Sequence, residues 1–501
     1  MTWWRDAVVY QIYPRSFADS NGDGVGDLNG VRDRLRYLVW LGVDAIWLSP
    51  IYPSPMRDFG YDVQDYEDVD PVFGSLADFD LLISEAHELG LRVLLDWVPN
   101  HTSSEHPWFR DARSSRSSAH RDWYIWRDPK PDGSLPNNWI HAWSEESAWT
   151  WDELTGQYYL HLFLADQPDL NWSNAQVRDA MSETLRFWLD RGVDGFRMDV
   201  VHALGKEVER DDPDELRLLS HTPLNDVEVT HEYLRVIRRV LGEYEGDRVS
   251  IGEVYLLDPQ RVATYYGHGD ELHLSFNFQS LFTAWRASSW LDAIGEIEAA
   301  LGPVSGWPTW VLSNHDNARV ATRLGAQARV RAAMTLLLTL RGTAFLYAGE
   351  ELGLEDAIVP PEQTVDPGGR DGCRSPIPWT RDADHGWPGG AWLPFVADAS
   401  VFSVESQEHD VGSTLHFTRR LLALRRRSAA LRRGEIMHAH VSGDVLSFDR
   451  VVEDEVVRVM VNFASSGVAI GANGLTPLFS SAELATPGEL AGNEAAIFRV
   501  R

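Results

Sequence analysis

Cysteine is almost missing: the 501 residues include one, Cys373. That excludes an intramolecular disulfide framework and any metal site built from several thiolates, and it agrees with a reducing compartment. Long apolar runs are also missing. No stretch reaches the roughly 18 to 20 residues that cross a bilayer, and the opening MTWWRDAVVYQIYP has neither a basic region followed by an apolar stretch nor a small-residue cleavage site. A cytoplasmic protein with no membrane partner is therefore expected. Positive charge is scarce: 45 Lys and Arg stand against 75 Asp and Glu, a formal net charge of -30. Such a field repels nucleic acid and anionic lipid, which leaves an uncharged small molecule as the expected ligand. No low-complexity linker and no short-period repeat interrupts the chain.

Short apolar segments rich in Val, Ile and Trp are plentiful. AVVYQIYP, DAIWLSPIY, RVLLDWVPN, GFRMDVVHA, VSIGEVYL, LHLSFNF, TWVLSNHD and TAFLYAGEE recur through the first 350 residues, and most are followed by a stretch of helical period. Examples are LNGVRDRLRYLVWLG (28–42) and LADFDLLISEAHELG (76–90), whose apolar residues lie three and four apart and which end in glycine. Eight units of strand and helix predict an α/β protein built as a (β/α)8 TIM barrel.

The third strand is not followed promptly by a helix. Residues 101–169 are polar and irregular, and with the stretch just beyond they hold Trp108, Trp123, Trp126, Trp139, Trp143, Trp149, Trp151 and Trp172. This predicts an inserted subdomain that forms one wall of a cleft at the carboxyl ends of the strands. From 429 to 501 the pattern becomes short alternating segments, DVLSFDRVV, VVRVMVNFA and AAIFRVR, separated by turn residues, as in a C-terminal antiparallel β-sandwich. The barrel is expected to span 1–100 and 170–428.

Most of the strands finish in polar or charged groups: Asp96, Asn100 and His101; Arg197 and Asp199; Glu253; Asn314, His315 and Asp316. A strand buried on both faces has no structural use for a carboxylate at its end, and an unpaired buried charge costs several kcal/mol, so the repetition predicts a converging site.

One further stretch, DSNGDGVGDLNG, crowds oxygen donors into a glycine-rich loop. Asp19, Asn21, Asp23, the Val25 carbonyl and Asp27 fall at positions 1, 3, 5, 7 and 9 of an EF-hand-like pattern, with Gly24 at the turn. Position 12 is Gly30 instead of glutamate, and a strand precedes the loop, so it is no EF-hand. Five oxygens plus water could still hold calcium, and an acidic turn without metal is the alternative.

The strand ends, taken with their neighbours, form the motifs DWVPNH (96–101), QPDLNW (167–172), GFRMDV (195–200), GEVY (252–255) and SNHD (313–316). In content, order and spacing they resemble those of glycoside hydrolase family 13, the α-amylase superfamily, and within it the α-glucosidase and oligo-1,6-glucosidase branch. The resemblance covers nearly the whole chain. It implies a retaining mechanism with Asp199 as nucleophile, Glu253 as general acid and base, and Asp316 as a third carboxylate gripping sugar hydroxyls. Retention needs an ionised and a protonated carboxyl about 5 to 5.5 Å apart, so Asp199 is expected to have a low pKa and Glu253 a raised one. Arg197, two residues before Asp199 on one strand face, is expected to keep the nucleophile ionised.

His101 and His315 are expected to donate to the same glucose. The resemblance further implies that Asp62, in GYDV, pairs with Arg374 and closes the pocket over the non-reducing terminal glucose, making the enzyme exo-acting. Tyr61, Phe163, Gln167 and Phe276 are expected as pocket walls. Val200, after the nucleophile, goes with α-1,6 activity in the branch, although one β-branched methyl is worth only ~1 to 3 kcal/mol of selectivity. Many relatives bind a structural calcium, or sometimes magnesium, through the run that is Asp19 to Asp27 here; no cofactor is implied for catalysis. The substrate is an oligosaccharide, with transglucosylation open. Trehalose synthases and sucrose-active members share the three carboxylates. A non-catalytic transporter-associated homologue would lack those acids and carry a membrane span. A monomer or small homo-oligomer is expected.

Overall fold

A computed structural model describes residues 2–144, 146–212, 224–471, 473–482 and 488–500. Its central sheet holds eight strands: β1 (Val8–Ile12), β2 (Ala45–Leu48), β3 (Arg92–Trp97), β4 (Gly195–Met198), β5 (Val249–Gly252), β6 (Leu274–Ser275), β7 (Thr309–Val311) and β8 (Thr343–Tyr347). They pair in parallel in the order β7-β8-β1-β2-β3-β4-β5-β6. Each falls in one of the apolar runs read from the sequence. All but the first residue of β3 is buried along them, which is why those runs are continuous instead of alternating. Between the end strands β6 and β7, the Thr309 hydroxyl donates to the Ser275 carbonyl at 2.8 Å and accepts from the Asn277 N–H at 3.0 Å, closing the barrel with a side chain.

The helices follow their predicted periods. Leu76–Glu88 starts at a capping box made by Ser75 and Asp78 and buries Phe79, Leu82, Ile83 and Ala86 against the sheet. The 28–42 stretch departs from the expected single helix. It forms Leu28–Asp33 and Leu35–Leu41, broken at Arg34, whose guanidinium lies 4.1 Å from the Trp379 ring centre.

After β3 the chain builds a helix, Pro107–Ser114, and a three-stranded antiparallel sheet of Trp126–Arg127, Gln157–Leu160 and Trp149–Asp152. Trp139, Trp149 and Trp172 are buried there as packing residues. At the other end of the chain a five-stranded antiparallel sheet runs Glu435–Ser442, Val445–Val452, Glu455–Asn462, Ala495–Val500, Leu475–Ser480 in spatial order. A two-stranded sheet, Val468–Ala469 with Glu489–Leu490, covers it through Leu490, Phe498 and Val445. Arg450, fully buried, donates to the Thr339 and Gly434 carbonyls and so ties this region to the barrel helices. Among the described residues no helix is long and apolar enough to cross a membrane.

Candidate active site

The carboxyl ends of β3, β4 and β5 deliver their charges to one guanidinium. Arg197 Nη1 donates to Asp96 Oδ1 at 2.8 Å and to Asp199 Oδ1 at 2.7 Å, while Nη2 donates to Glu253 Oε2 at 2.7 Å. All four side chains are buried to about nine-tenths or more. The expectation of a low pKa for Asp199, kept ionised by Arg197, is corrected by this arrangement. Burial, then the Glu253 and Asp96 carboxylates, push the Asp199 carboxyl well above the ordinary range, against the pull of Arg197. One positive charge is divided among three acids. Burial likewise raises Asp96 to about 6 despite Arg197. Asp199 and Glu253 thus meet at one guanidinium, through Nη1 and Nη2.

Val200, the next residue, holds a left-handed backbone conformation at φ 35°, rare for a β-branched side chain. It turns the Val200 N–H onto Glu253 Oε2 at 3.0 Å and leaves the valine side chain lining the cavity.

Asp316, beyond β7, keeps 27% of its side chain exposed at the pocket. Burial would raise its pKa, but His315, Arg370 and Arg374 together hold it far below the carboxylate range. His315 is itself lowered to about 3 by burial, so at neutral pH it is uncharged and the two arginines carry the effect. Gln11 Nε2 donates to His315 Nδ1 at 2.7 Å, which leaves the Nε2 proton facing Tyr61 Oη at 2.6 Å and Asp316 Oδ2 at 3.2 Å. Tyr61 stacks on the same imidazole with ring centres 5.4 Å apart.

The pair that closes the pocket is not the expected one. Asp62 is fully buried in its own turn, where it accepts from Ser54 Oγ and from the N–H groups of Arg57 and Asp58. Burial raises it to about 6, and it does not meet Arg374. Arg374 lies behind the site, bonding the His315 carbonyl, Asp366 and Asp316 Oδ1. Four residues earlier in each segment, Asp58 and Arg370 make the bridge, Arg370 Nη2 to Asp58 Oδ1 at 2.6 Å. Both line the pocket, Arg370 also donates to Asp316 Oδ1 at 2.9 Å, and its guanidinium sits 4.5 Å from the Trp143 ring centre. Trp143 comes from the inserted subdomain, so the bridge joins three distant segments of chain.

Gln167 is an indirect participant: buried, it donates from Nε2 to Asp58 Oδ2 at 3.0 Å. Tyr61, His101, Phe163 and Val200 line the pocket. His101 donates through Nε2 to the Tyr61 carbonyl at 3.1 Å, and burial lowers it to about 4, so the ring is neutral. Phe276 does not reach the pocket; it packs in the barrel interior with Trp47 and Phe345. Asp58, Arg370, His202, Tyr255 and Asn317 also line the cavity, and the sequence reading missed them. Asp58 and Arg370 stand next to motifs that drew attention, within RDFGYDV and GGRDGCR.

The acidic loop after β1 turns its donors inward. Asp19 Oδ1 accepts from the N–H of Asn21 and Gly22, its Oδ2 from Gly24, Asn21 Oδ1 from Asp23, and Asp23 Oδ1 from Val25, at 2.7 to 3.0 Å. Asp27 is the most committed, binding Ser20 and capping the helix Leu28–Asp33 through the Gly30 N–H at 2.7 Å. A Cβ on Gly26 would lie 2.1 Å from the Pro14 carbonyl oxygen, so the loop folds tightly on the segment after β1. Among the described residues no three His, Cys, Asp or Glu side chains are gathered to hold a metal by themselves. What the loop offers is a mixed set of hard carboxylate, amide and carbonyl oxygens, the donor type that Ca2+ and Mg2+ take, most of them with a lone pair still open.

Comparison with known proteins bears on the whole chain. The alpha-amylase catalytic domain matches residues 11–434. The chain is 43% identical to a probable alpha-glucosidase of Rhizobium meliloti (strain 1021), across 92% of this chain and 89% of that protein. It is 35% identical to an oligo-1,6-glucosidase of Parageobacillus thermoglucosidasius, across 92% and 90%. Among solved structures, an alpha-glucosyl transfer enzyme, XgtA, superposes with a TM-score of 0.94 at 41% identity, each chain covered in full.

Proposed function

The chain belongs to the α-amylase family, glycoside hydrolase family 13, and we propose that it is an exo-acting, retaining α-glucosidase that releases α-glucose from the non-reducing end of short maltose- and isomaltose-type α-glucosides. The observation that carries the reading is one guanidinium, Arg197, holding Asp199 and Glu253 together beside a pocket bridged by Asp58 and Arg370. Asp199 attacks the anomeric carbon while Glu253 protonates the departing oxygen. The glucosyl ester on Asp199 is then displaced by water from which Glu253 takes a proton, and two inversions give retention. The crowding that makes Asp199 costly to ionise is relieved as its charge is consumed in the ester. Asp316, kept ionised by Arg370 and Arg374, accepts from sugar hydroxyls most strongly as positive charge builds on the ring.

The Asp58–Arg370 bridge closes one end of the pocket, so a single terminal glucose fits past the catalytic pair. Val200 beside the nucleophile favours α-1,6 linkages without forbidding α-1,4. A sugar hydroxyl can replace water in the second step, and the likeness to a glucosyl transfer enzyme supports transfer as a second outcome. Early products from maltose, isomaltose, sucrose, trehalose and kojibiose test the reading. Glucose from the first two is expected; rearrangement of sucrose or trehalose without glucose release overturns hydrolysis as the main reaction, and random internal cleavage of soluble starch overturns exo action.

The loop from Asp19 to Asp27 is read as a structural Ca2+ or Mg2+ site formed by Asp19, Asn21, Asp23, the Val25 carbonyl and Asp27. A bound cation supplies charge neutralisation to the loop and takes no part in the chemistry. Chelation is expected to lower the melting temperature and leave kcat of the folded enzyme unchanged; an unchanged melting temperature, with no metal in the purified protein, restores the plain acidic turn. The single buried Cys373 supports a cytoplasmic setting. Monomer or small homo-oligomer is the proposed state.

A further inference from the structure

At the opposite end of the barrel, beneath the amino ends of β1, β2 and β3, lies a second cleft. Four arginines line it, Arg92, Arg425, Arg426 and Arg432, against two aspartates, Asp6 and Asp44. In a chain of net charge -30 this is a local surplus of positive charge. The surplus is also poorly compensated. Arg425 is 2% exposed, and among the described residues its terminal nitrogens donate only to carbonyls, those of Leu338, Leu431 and Gly342. Among the described residues its Nε–H is buried without a partner, and so is that of Arg432, whose contact to Asp6 is long at 3.6 Å because Arg433 Nε holds the same oxygen at 2.6 Å. Arg426 shares Asp44 with the β1 backbone: Asp44 Oδ1 lies 3.2 Å from Arg426 Nη2, while Oδ2 accepts the Val8 N–H. Arg92 spends one nitrogen on Asp194 outside the cleft and keeps 43% of its side chain exposed.

We propose that this cleft binds a small phosphate-bearing anion, whose oxygens pair with the guanidinium groups of Arg92, Arg426 and Arg432 and whose charge compensates the buried Arg425. The chemistry fits the donors. Guanidinium groups present planar N–H pairs that match tetrahedral oxyanions, and a dianion balances the excess of two positive charges among the lining side chains. A buried cation bonded only to carbonyls is costly, and burial lowers Arg425 to about 10 although Asp44 and Asp6 pull the other way, so an anion beside it relieves the part of the penalty those two leave. The cleft adjoins the C-terminal turn of the helix Thr414–Arg427 and the start of β1, so its occupant would tie two distant parts of the chain together.

The test uses the whole enzyme, titrated with inorganic phosphate or with a hexose 6-phosphate and followed by calorimetry and thermal melting, with sodium chloride at matched ionic strength as the reference. Phosphate is expected to raise the melting temperature beyond the chloride reference. Arg432→Gln, and separately the exposed Arg426→Gln, are expected to weaken binding at least threefold while leaving kcat on p-nitrophenyl α-glucoside unchanged. The dependence on these arginines separates the cleft from any binding at the catalytic pocket. Tighter binding of the hexose phosphate identifies a sugar phosphate as the occupant, and equal or tighter binding of phosphate alone identifies the free ion. A stabilisation matched by chloride, or binding unaltered in both variants, overturns the proposal.

Discussion

Asp194 and Asp199 bracket the same four-residue strand, β4, and burial acts on them in opposite ways. Asp194, at the amino end, accepts from His87, Arg92, Arg248 and the Val93 N–H at 2.8 to 3.0 Å, and its carboxyl is held below the usual range although burial opposes this. Asp199, at the carboxyl end, shares one arginine with two other acids and is pushed up. The residue type and the depth are alike. What differs is the number of arginines per carboxylate, and that ratio holds one aspartate ionised as a staple and pushes the other up beside the pocket.

The largest expected effect is on Asp199. Asp199→Asn should lower glucose release from p-nitrophenyl α-glucoside by at least about 10^4-fold while the protein remains folded by circular dichroism; wild-type turnover would refute the nucleophile assignment. Asp194→Asn should do the reverse, costing about 3 to 5 kcal/mol of stability because Arg92 and Arg248 lose their carboxylate and His87 its hydrogen-bond partner, with kcat per folded molecule preserved. Because the folded pKa of Asp194 is depressed, its stabilisation is present above the unfolded aspartate value and is lost as pH falls through the folded value. The melting-temperature gap between wild type and Asp194→Asn should therefore close in acid.

A second comparison separates the two neighbouring aspartates of the β2–β3 connection. Asp58→Asn leaves Arg370 without its bridge in a buried site and should lower kcat/KM on maltose by about 30- to 1000-fold. Asp62→Asn should change kcat/KM by no more than about threefold, its cost appearing as about 1 to 3 kcal/mol of stability from the lost turn contacts. Equal kinetic losses would undo the distinction. The smallest effect concerns pH. Asp96→Asn removes one of the acids competing for Arg197, so the Asp199 carboxyl should ionise more easily and the acidic limb of kcat/KM should move to lower pH; a limb that stays in place or rises would show that Asp96 does not share in that balance.

Legibility in the sequence tracked the range of the physics. β1 to β8 were readable because a strand buried on both faces must be apolar throughout, and the local pattern records it. That Asp199, Glu253 and Asp316 share one pocket was readable because each follows such a strand inside a recognisable motif. The pocket bridge was misplaced by four residues in each partner, since Asp58 and Arg370 are 312 positions apart and their meeting depends on how two loops fold over the barrel. Phe276 was read as a wall and is core, because the residue type is the same in either place.

The sequence by itself determined the barrel, the inserted tryptophan-rich segment and which acids end the strands, all consequences of short-range burial and of chemistry carried by residue type. Only the tertiary structure decided which aspartate and arginine bridge the pocket and how Arg197 is divided among three carboxylates. Those outcomes depend on distances and burial between segments far apart in the chain, and electrostatic energy in a buried site is set by both.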